Sequence, residues 1–277
     1  MLKIGIMQGR LVPPKDGRIQ CFPRDNWQDE FQRAFEVGFD TIEWLYDLHD
    51  ADVNPLATDE GIKDIQMVSR HYGIKIISVC AHCFIEEPLM GIKKQDLEKR
   101  LERCAWLLGR LRQLGAQRLV LPFENSTSIA TANKLEKAVL VVKRILRFAE
   151  ENEVEIDIEA SCPPKVFAVL LDRIKHPLIK VNYDAGNSAC LGYSIHEEFA
   201  AYGHRIGSVH IKDKVRGGGT VALGAGDVNF DEFACHLRAI SYSGAFILEV
   251  ARGGAGEELD WAKKNLAFVR EKIIDNL

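Results

Sequence analysis

The chain has 277 residues, 47% of them apolar and 27% charged, with 36 Lys+Arg against 40 Asp+Glu and a formal net charge of −4. That is enough apolar material for a sizeable core, which excludes disorder, and a mildly acidic balance gives no footprint for nucleic acid or an anionic membrane. The start MLKIGIMQGRL reaches Gln8 and Arg10 too early for a signal-peptide core. No apolar run approaches the roughly 18–20 residues of a membrane span, and the seven scattered cysteines read as reduced thiols of a cytoplasmic protein.

In chain order, short β-branched runs alternate with longer stretches of helical spacing. The first run is 3–7, followed by an irregular segment, 10–26, suited to covering a site or to contacts between subunits. Strands are predicted next at 41–45 and 75–79. The second leads into Cys80-Ala-His-Cys83, whose redox spacing follows a strand instead of opening a helix, so the two thiols read as buried. Leu97, Leu101, Cys104, Leu108, Leu111 and Leu114 recur in steps of three and four and predict a helix over 97–114. Strand 118–122, helix 134–149 and strands 154–159, 179–183, 208–212 and 245–250 follow, and Leu259, Ala262, Leu266, Val269 and Ile273 mark a last helix. Gly38, Gly73, Gly115 and Gly244 precede strands, where glycine commonly ends a helix in the left-handed conformation. The strands are apolar almost throughout, as in a parallel sheet covered on both faces. Eight strand–helix units of about 35 residues give one (β/α)₈ TIM barrel as a single domain over 1–277. A doubly wound open sheet is the alternative, but Gln8-Gly9-Arg10 runs into Pro13-Pro14 and not into a helix.

Barrel active sites lie where the strands end. Those positions read Glu43, His82, Glu124, Glu159, Asp184, His210 and Glu249, seven consecutive strands closing on an acid or an imidazole. Converging carboxylates repel one another, and a divalent cation is the simple remedy. Glu43 reads equally as a structural hydrogen-bonding acid, and His82 as a core or mouth histidine. The last four sit in or beside apolar strands, where an unpaired charge is costly, and form a shared site.

The order Glu159, Asp184-Ala-Gly-Asn187, His210-Ile-Lys-Asp213, Leu223-Gly-Ala-Gly-Asp227 and Leu248-Glu249 resembles the xylose-isomerase-like barrel superfamily, across nearly the whole chain and most strongly over 155–250. That group contains sugar and sugar-phosphate isomerases and epimerases, ketose 3-epimerases and hexulose-phosphate isomerase-like proteins among them, and the family-two apurinic endonucleases. The resemblance implies one divalent ion on Glu159, Asp184, His210 and Glu249, and a substrate contact from Arg216. Two departures stand out: Asn187 where relatives often have histidine, and Gly224-Ala225-Gly226 for Gly-Glu-Gly.

The resemblance further implies an isomerase that removes a proton beside a carbonyl, through a metal-stabilised cis-enediolate, with Glu159 and Glu249 as base and acid. His82, Glu124, Asn187, Lys212 and Arg216 are the candidate substrate contacts. Lys212 has a second reading as the ion-pair partner of Asp213, and the glycines after Arg216 as a solvent loop. Mixed oxygen ligands with one imidazole suit Mn²⁺, Mg²⁺ or Co²⁺, with Zn²⁺ the further option. The expected partner is a small sugar or sugar phosphate, with neither nucleic acid nor membrane, in a homodimer or homotetramer. A dehydratase of a cyclitol or keto-sugar and a non-catalytic sugar-binding protein are the rival readings. An apurinic endonuclease is disfavoured by Asn187 and the negative charge.

Overall fold

The computed structural model describes residues 2–15, 17–124, 127–129 and 131–277. Eight parallel strands close into a barrel: β1 (Lys3–Met7), β2 (Thr41–Leu45), β3 (Lys75–Cys80), β4 (Arg118–Phe123), β5 (Glu155–Ala160), β6 (Ile179–Asp184), β7 (Ile206–Ile211) and β10 (Ala245–Leu248), with β10 pairing back onto β1. Between β7 and β10, β8 (Asp213–Lys214) and β9 (Thr220–Val221) form a short antiparallel ribbon. The helices around the barrel are α1 (Asp29–Val37), α2 (Asp59–Tyr72), α3 (Cys83–Glu86), α4 (Lys94–Leu114), α5 (Ala132–Asn152), α6 (Pro164–Ile174), α7 (Ala185–Leu191), α8 (Ile195–Tyr202), α9 (Phe230–Ala239) and α10 (Glu258–Lys272). Among the described residues, no helix is long and apolar enough to cross a membrane.

Side chains alternate across each strand. Ile156, Ile158, Val181, Tyr183, Val209 and Ile211 join the main core beneath the helices, with Leu170, Phe199 and Phe233. The intervening positions face the bore. Met7, Leu45, Ile77, Cys80, Ala245 and Ile247 make a separate apolar plug there, while Asp157, Asn182 and Ser208 form a buried hydrogen-bonded group.

The register slips at two seams. Between β2 and β3 the pairing passes from Ile42↔Ile76 to Trp44↔Val79, so Glu43 faces two residues, Ile77 and Ser78. Between β6 and β7 it passes from Val181↔Ile206 to Asn182↔Ser208, leaving Gly207 over. A Cβ at Gly207 would meet Asp157 Oδ1 at 2.8 Å.

Gly38, Gly73 and Gly115 end α1, α2 and α4 with positive φ, as their spacing predicts. Gly244 does not; after α9 the positive φ falls on Ser241. Glycine is required at 244 because a Cβ would strike the Tyr242 ring and Gly207 O. The strand predicted at 208–212 starts at Ile206 and ends at Ile211, and that predicted at 245–250 stops at Leu248. The Glu249 N–H still bonds Ile211 O at 2.9 Å. Beyond that point the chain leaves the sheet for the rim.

Segment 10–26 contributes neither helix nor strand among its described residues. It lies against the rim with Leu11, Val12, Cys21 and Phe22 buried. Arg10 Nε bonds Val250 O at 3.0 Å, and the Arg252 guanidinium bonds Gly9 O, Val12 O and Ile19 O.

Candidate metal centre

Glu159 and His210 each stand one residue from the end of β5 and β7, Asp184 closes β6, and Glu249 follows β10. One ligand atom from each lies within 4.8 Å of the other three. The four are buried or nearly so. Such a set of three carboxylates and one imidazole suits a divalent cation. His210 Nδ1 is buried without a hydrogen bond, and Asp184 Oδ2, equally buried, has no aligned donor and only the Lys212 ammonium against it. His210 Nδ1 is 3.0 Å from Glu249 Oε2 and 3.5 Å from Glu159 Oε2, close but aligned with neither. Its other nitrogen, Nε2, bonds Glu43 Oε1 at 2.8 Å.

Amides hold the Glu159 carboxylate at both oxygens. Asn182 Nδ2 donates to Oε2 and Asn187 Nδ2 to Oε1, each at 3.0 Å. Asn187 also donates to Glu124 Oε1 at 2.5 Å, and its Oδ1 accepts from Lys214 Nζ at 3.2 Å. Its backbone N–H donates to Asp184 Oδ1, so Asp184 caps α7 while offering Oδ2 to the centre.

Lys212 is buried and reaches Asp184 Oδ2 and Glu249 Oε1, each at 2.8 Å. Its stem crosses Gly186, where a Cβ would lie 2.8 Å from Lys212 Cγ. Lys212 therefore does not pair with Asp213, contrary to one of its two sequence readings. The Asp213 carboxylate is fully buried and accepts the backbone N–H groups of Gly224, Gly226 and Val228. The Leu-Gly-Ala-Gly motif is thus tied to the His-Ile-Lys-Asp strand end.

Environment separates the two glutamates. Burial raises the Glu159 carboxyl well above its ordinary range, and neighbouring Glu124 adds to the effect. Burial acts the same way on Glu249, but Lys212 and His210 outweigh it and hold that carboxyl below the ordinary range. Burial alone would lower Lys212 and His210. Asp184 and Glu249 hold the ammonium, and Glu43 and Glu249 the imidazole, well above their ordinary values. Glu124 is raised, chiefly by burial.

The structure thus brings together Glu159, Asp184, His210 and Glu249, with Glu124, Asn187 and Lys212 beside them. Arg216 is exposed, and its guanidinium packs on Gly192 instead of joining this group. His82 is half-buried just before α3, with Nδ1 buried and unpartnered. Cys80 and Cys83 are free, buried thiols, and burial pushes both well above the ordinary thiol range. Sequence reasoning missed Lys214, Asn182, Ser78 and Ser208. Asn182 and Ser208 each stand two residues before a candidate ligand on the same strand, a period-two signal present in the sequence.

No curated protein matches the chain by sequence. Solved structures resemble it over nearly its whole length. D-psicose 3-epimerase from Clostridium cellulolyticum H10, solved with D-tagatose, is 18% identical with a TM-score of 0.75, covering 98% of this chain and 99% of its own. The IOLI protein, solved with a zinc atom, is 16% identical with a TM-score of 0.79 over 98% and 99%. The 3-keto-D-glucoside 4-epimerase YcjR from E. coli is 16% identical with a TM-score of 0.70 over 98% and 100%. At these identities the likeness is one of fold. The family model described as xylose isomerase-like TIM barrel matches residues 31–272, and the chain belongs to that family.

Proposed function

We propose that the protein is a divalent-metal-dependent isomerase or epimerase acting on a sugar or sugar phosphate. The observation that carries this reading is the convergence of Glu159, Asp184, His210 and Glu249 within 4.8 Å on the barrel rim. These four would hold the cation, which would supply Lewis-acid stabilisation of charge developing beside the substrate carbonyl; Mn²⁺, Mg²⁺ or Co²⁺ suits the oxygen-rich set, and Zn²⁺ is compatible with the imidazole. The zinc-bound IOLI structure and the sugar 3- and 4-epimerases of the same fold support the assignment.

Glu159 and Glu249 stand three strands apart around the barrel, on β5 and just after β10. One takes the proton from the carbon next to the carbonyl and the other returns a proton. Return to the opposite face of the same carbon is epimerisation; return to the neighbouring carbon is aldose–ketose isomerisation. In this reading Lys212, Asn187 and Glu124 contact substrate hydroxyls, and His82 and Arg216 contact more distant parts of the sugar. The electrostatic contrast between the two glutamates suits an acid and a base in one site.

The test is exchange of substrate C–H with deuterated water, across a panel of ketoses, ketose phosphates and keto-cyclitols with Mn²⁺ supplied. Glu159→Gln and Glu249→Gln should each lower exchange by about 10²–10⁴-fold while leaving the fold intact. Full turnover in both variants would refute the two-glutamate scheme. Release of water from the substrate would indicate a dehydratase instead.

A further inference from the structure

The two register slips lie at opposite seams of the barrel, β2/β3 and β6/β7, with three seams between them on either side. Each brings a serine against a polar residue that touches one of the four proposed ligands. At the first, the extra β3 residue turns Ser78 toward Glu43, and Ser78 Oγ donates to Glu43 Oε2 at 2.6 Å. Glu43 Oε1 meets His210 Nε2 at 2.8 Å. Glu43 and His210 have no exposed surface, and Ser78 retains 2%. At the second slip, Ser208 Oγ lies 2.8 Å from Asn182 Oδ1, and Asn182 Nδ2 donates to Glu159 Oε2 at 3.0 Å. Slips of this kind re-aim side chains at functional rims.

We infer that Glu43 and Asn182, each steadied by its serine, are positioning residues that set the presentation of His210 and Glu159 to the cation. This inference rests on the metal-site reading above. The two residues do opposite jobs. Glu43 accepts: a carboxylate facing Nε2 keeps a hydrogen on that nitrogen and leaves Nδ1 as the nitrogen a cation would meet, because each ring nitrogen's role is fixed by what the other bonds. Asn182 donates: Nδ2 is turned up to Glu159, and Oδ1 faces Ser208 Oγ, whose single hydrogen lies between Asn182 Oδ1 and Asp157 Oδ2. The Glu159 oxygen is thereby fixed in direction without receiving a charge.

The experiment is titration of purified, metal-stripped protein with Mn²⁺ by calorimetry, comparing wild type with Glu43→Ala, Glu43→Gln, Asn182→Ala, Asn182→Asp, Ser78→Ala and Ser208→Ala. Loss of such supporting partners weakens metal binding by about 10–100-fold, expected for Glu43→Ala and Asn182→Ala. The near-isosteric replacements discriminate. Glu43→Gln retains an acceptor for Nε2–H and should recover most of the affinity. Asn182→Asp exchanges the donor for an acid facing Glu159 and should not. A residue that only filled space would tolerate both alike. The serine variants should weaken binding less than the alanine variants of their partners, and they keep the test open should a larger truncation fail to fold. With Zn²⁺ bound, side-chain ¹H–¹⁵N spectra should show His210 protonated at Nε2 in wild type and that signal lost in Glu43→Ala.

Wild-type protein that takes up no Mn²⁺ overturns the metal site, and this inference with it. Mn²⁺ bound equally by wild type and folded variants overturns the positioning roles alone.

Discussion

Replacing Glu30 by glutamine should change the pH dependence of stability more than it changes stability itself. Glu30 lies in the first turn of α1 with no exposed surface, and its Oε1 accepts the N–H groups of Gly9 at 2.7 Å and Leu11 at 3.2 Å. Its Oε2 is buried without a partner. Burial pushes this carboxyl up to about 7 from 4.5, against the two backbone N–H groups and the nearby Arg252 and Arg10 that oppose the shift. The folded state therefore holds the proton more tightly than the unfolded chain. That contribution is present in full below about pH 4.5 and fades as pH rises through about 7. Between pH 5 and pH 8 the loss amounts to about 2–3 kcal/mol. Glutamine cannot ionise and keeps an oxygen for Gly9 and Leu11, so its own contribution is flat across this range. Its amide nitrogen falls where Oε2 finds no partner, at a cost of about 1–3 kcal/mol. The variant should accordingly be the less stable protein at pH 5 and draw level with or pass wild type by pH 8. Urea denaturation at half-unit pH steps measures the difference. A wild-type-minus-variant gap that stays constant from pH 5 to pH 8 would refute the reasoning.

Gly186→Ala puts a methyl group 2.8 Å from Lys212 Cγ and 3.0 Å from its carbonyl carbon; thermal melts should show a loss of about 1–3 kcal/mol from overpacking, and turnover should fall as Lys212 is displaced. Asp213→Ala removes the acceptor of three backbone N–H groups. We expect a loss of about 2–3 kcal/mol and faster proteolytic cleavage within 214–228, and an unchanged digestion pattern would count against that role for Asp213. Mn²⁺ at 100-fold over its Kd should stabilise the protein by about 2.7 kcal/mol, reversed by chelation, and Asp184→Asn should blunt the gain.

Much of this architecture is legible from spacing, because a strand covered by helices must be apolar on one face and a barrel must end its strands at one rim. The runs at 41–45, 118–122 and 179–183 fall on β2, β4 and β6. The four candidate ligands stand out because Glu159, Asp184, His210 and Glu249 interrupt or end runs that are otherwise too apolar to carry charge. Pairing is less legible. Lys212 has Asp213 as its neighbour in sequence, but consecutive residues of an extended chain point to opposite faces, and Lys212 meets Asp184 and Glu249 at the ends of the two strands that flank its own. Register slips leave no mark in composition, so Ser78 and Ser208 look like ordinary strand serines until the seams are laid side by side. Gly244 misleads for a related reason: a turn and a close approach both call for glycine, and only the position of the Tyr242 ring tells them apart.

The arginine stitches at the rim join parts of the chain that are made far apart in time. Arg10 reaches Val250 across 240 residues, and Arg252 returns to Gly9 across 243. Until β10 and Arg252 have left the ribosome, β1 lacks a neighbour on one edge and the strap after it has little to hold it down. Closure of the cylinder is then a late event with a large loop entropy to overcome. Chains shortened before Arg252 should persist as open, sticky intermediates and not as smaller folded proteins.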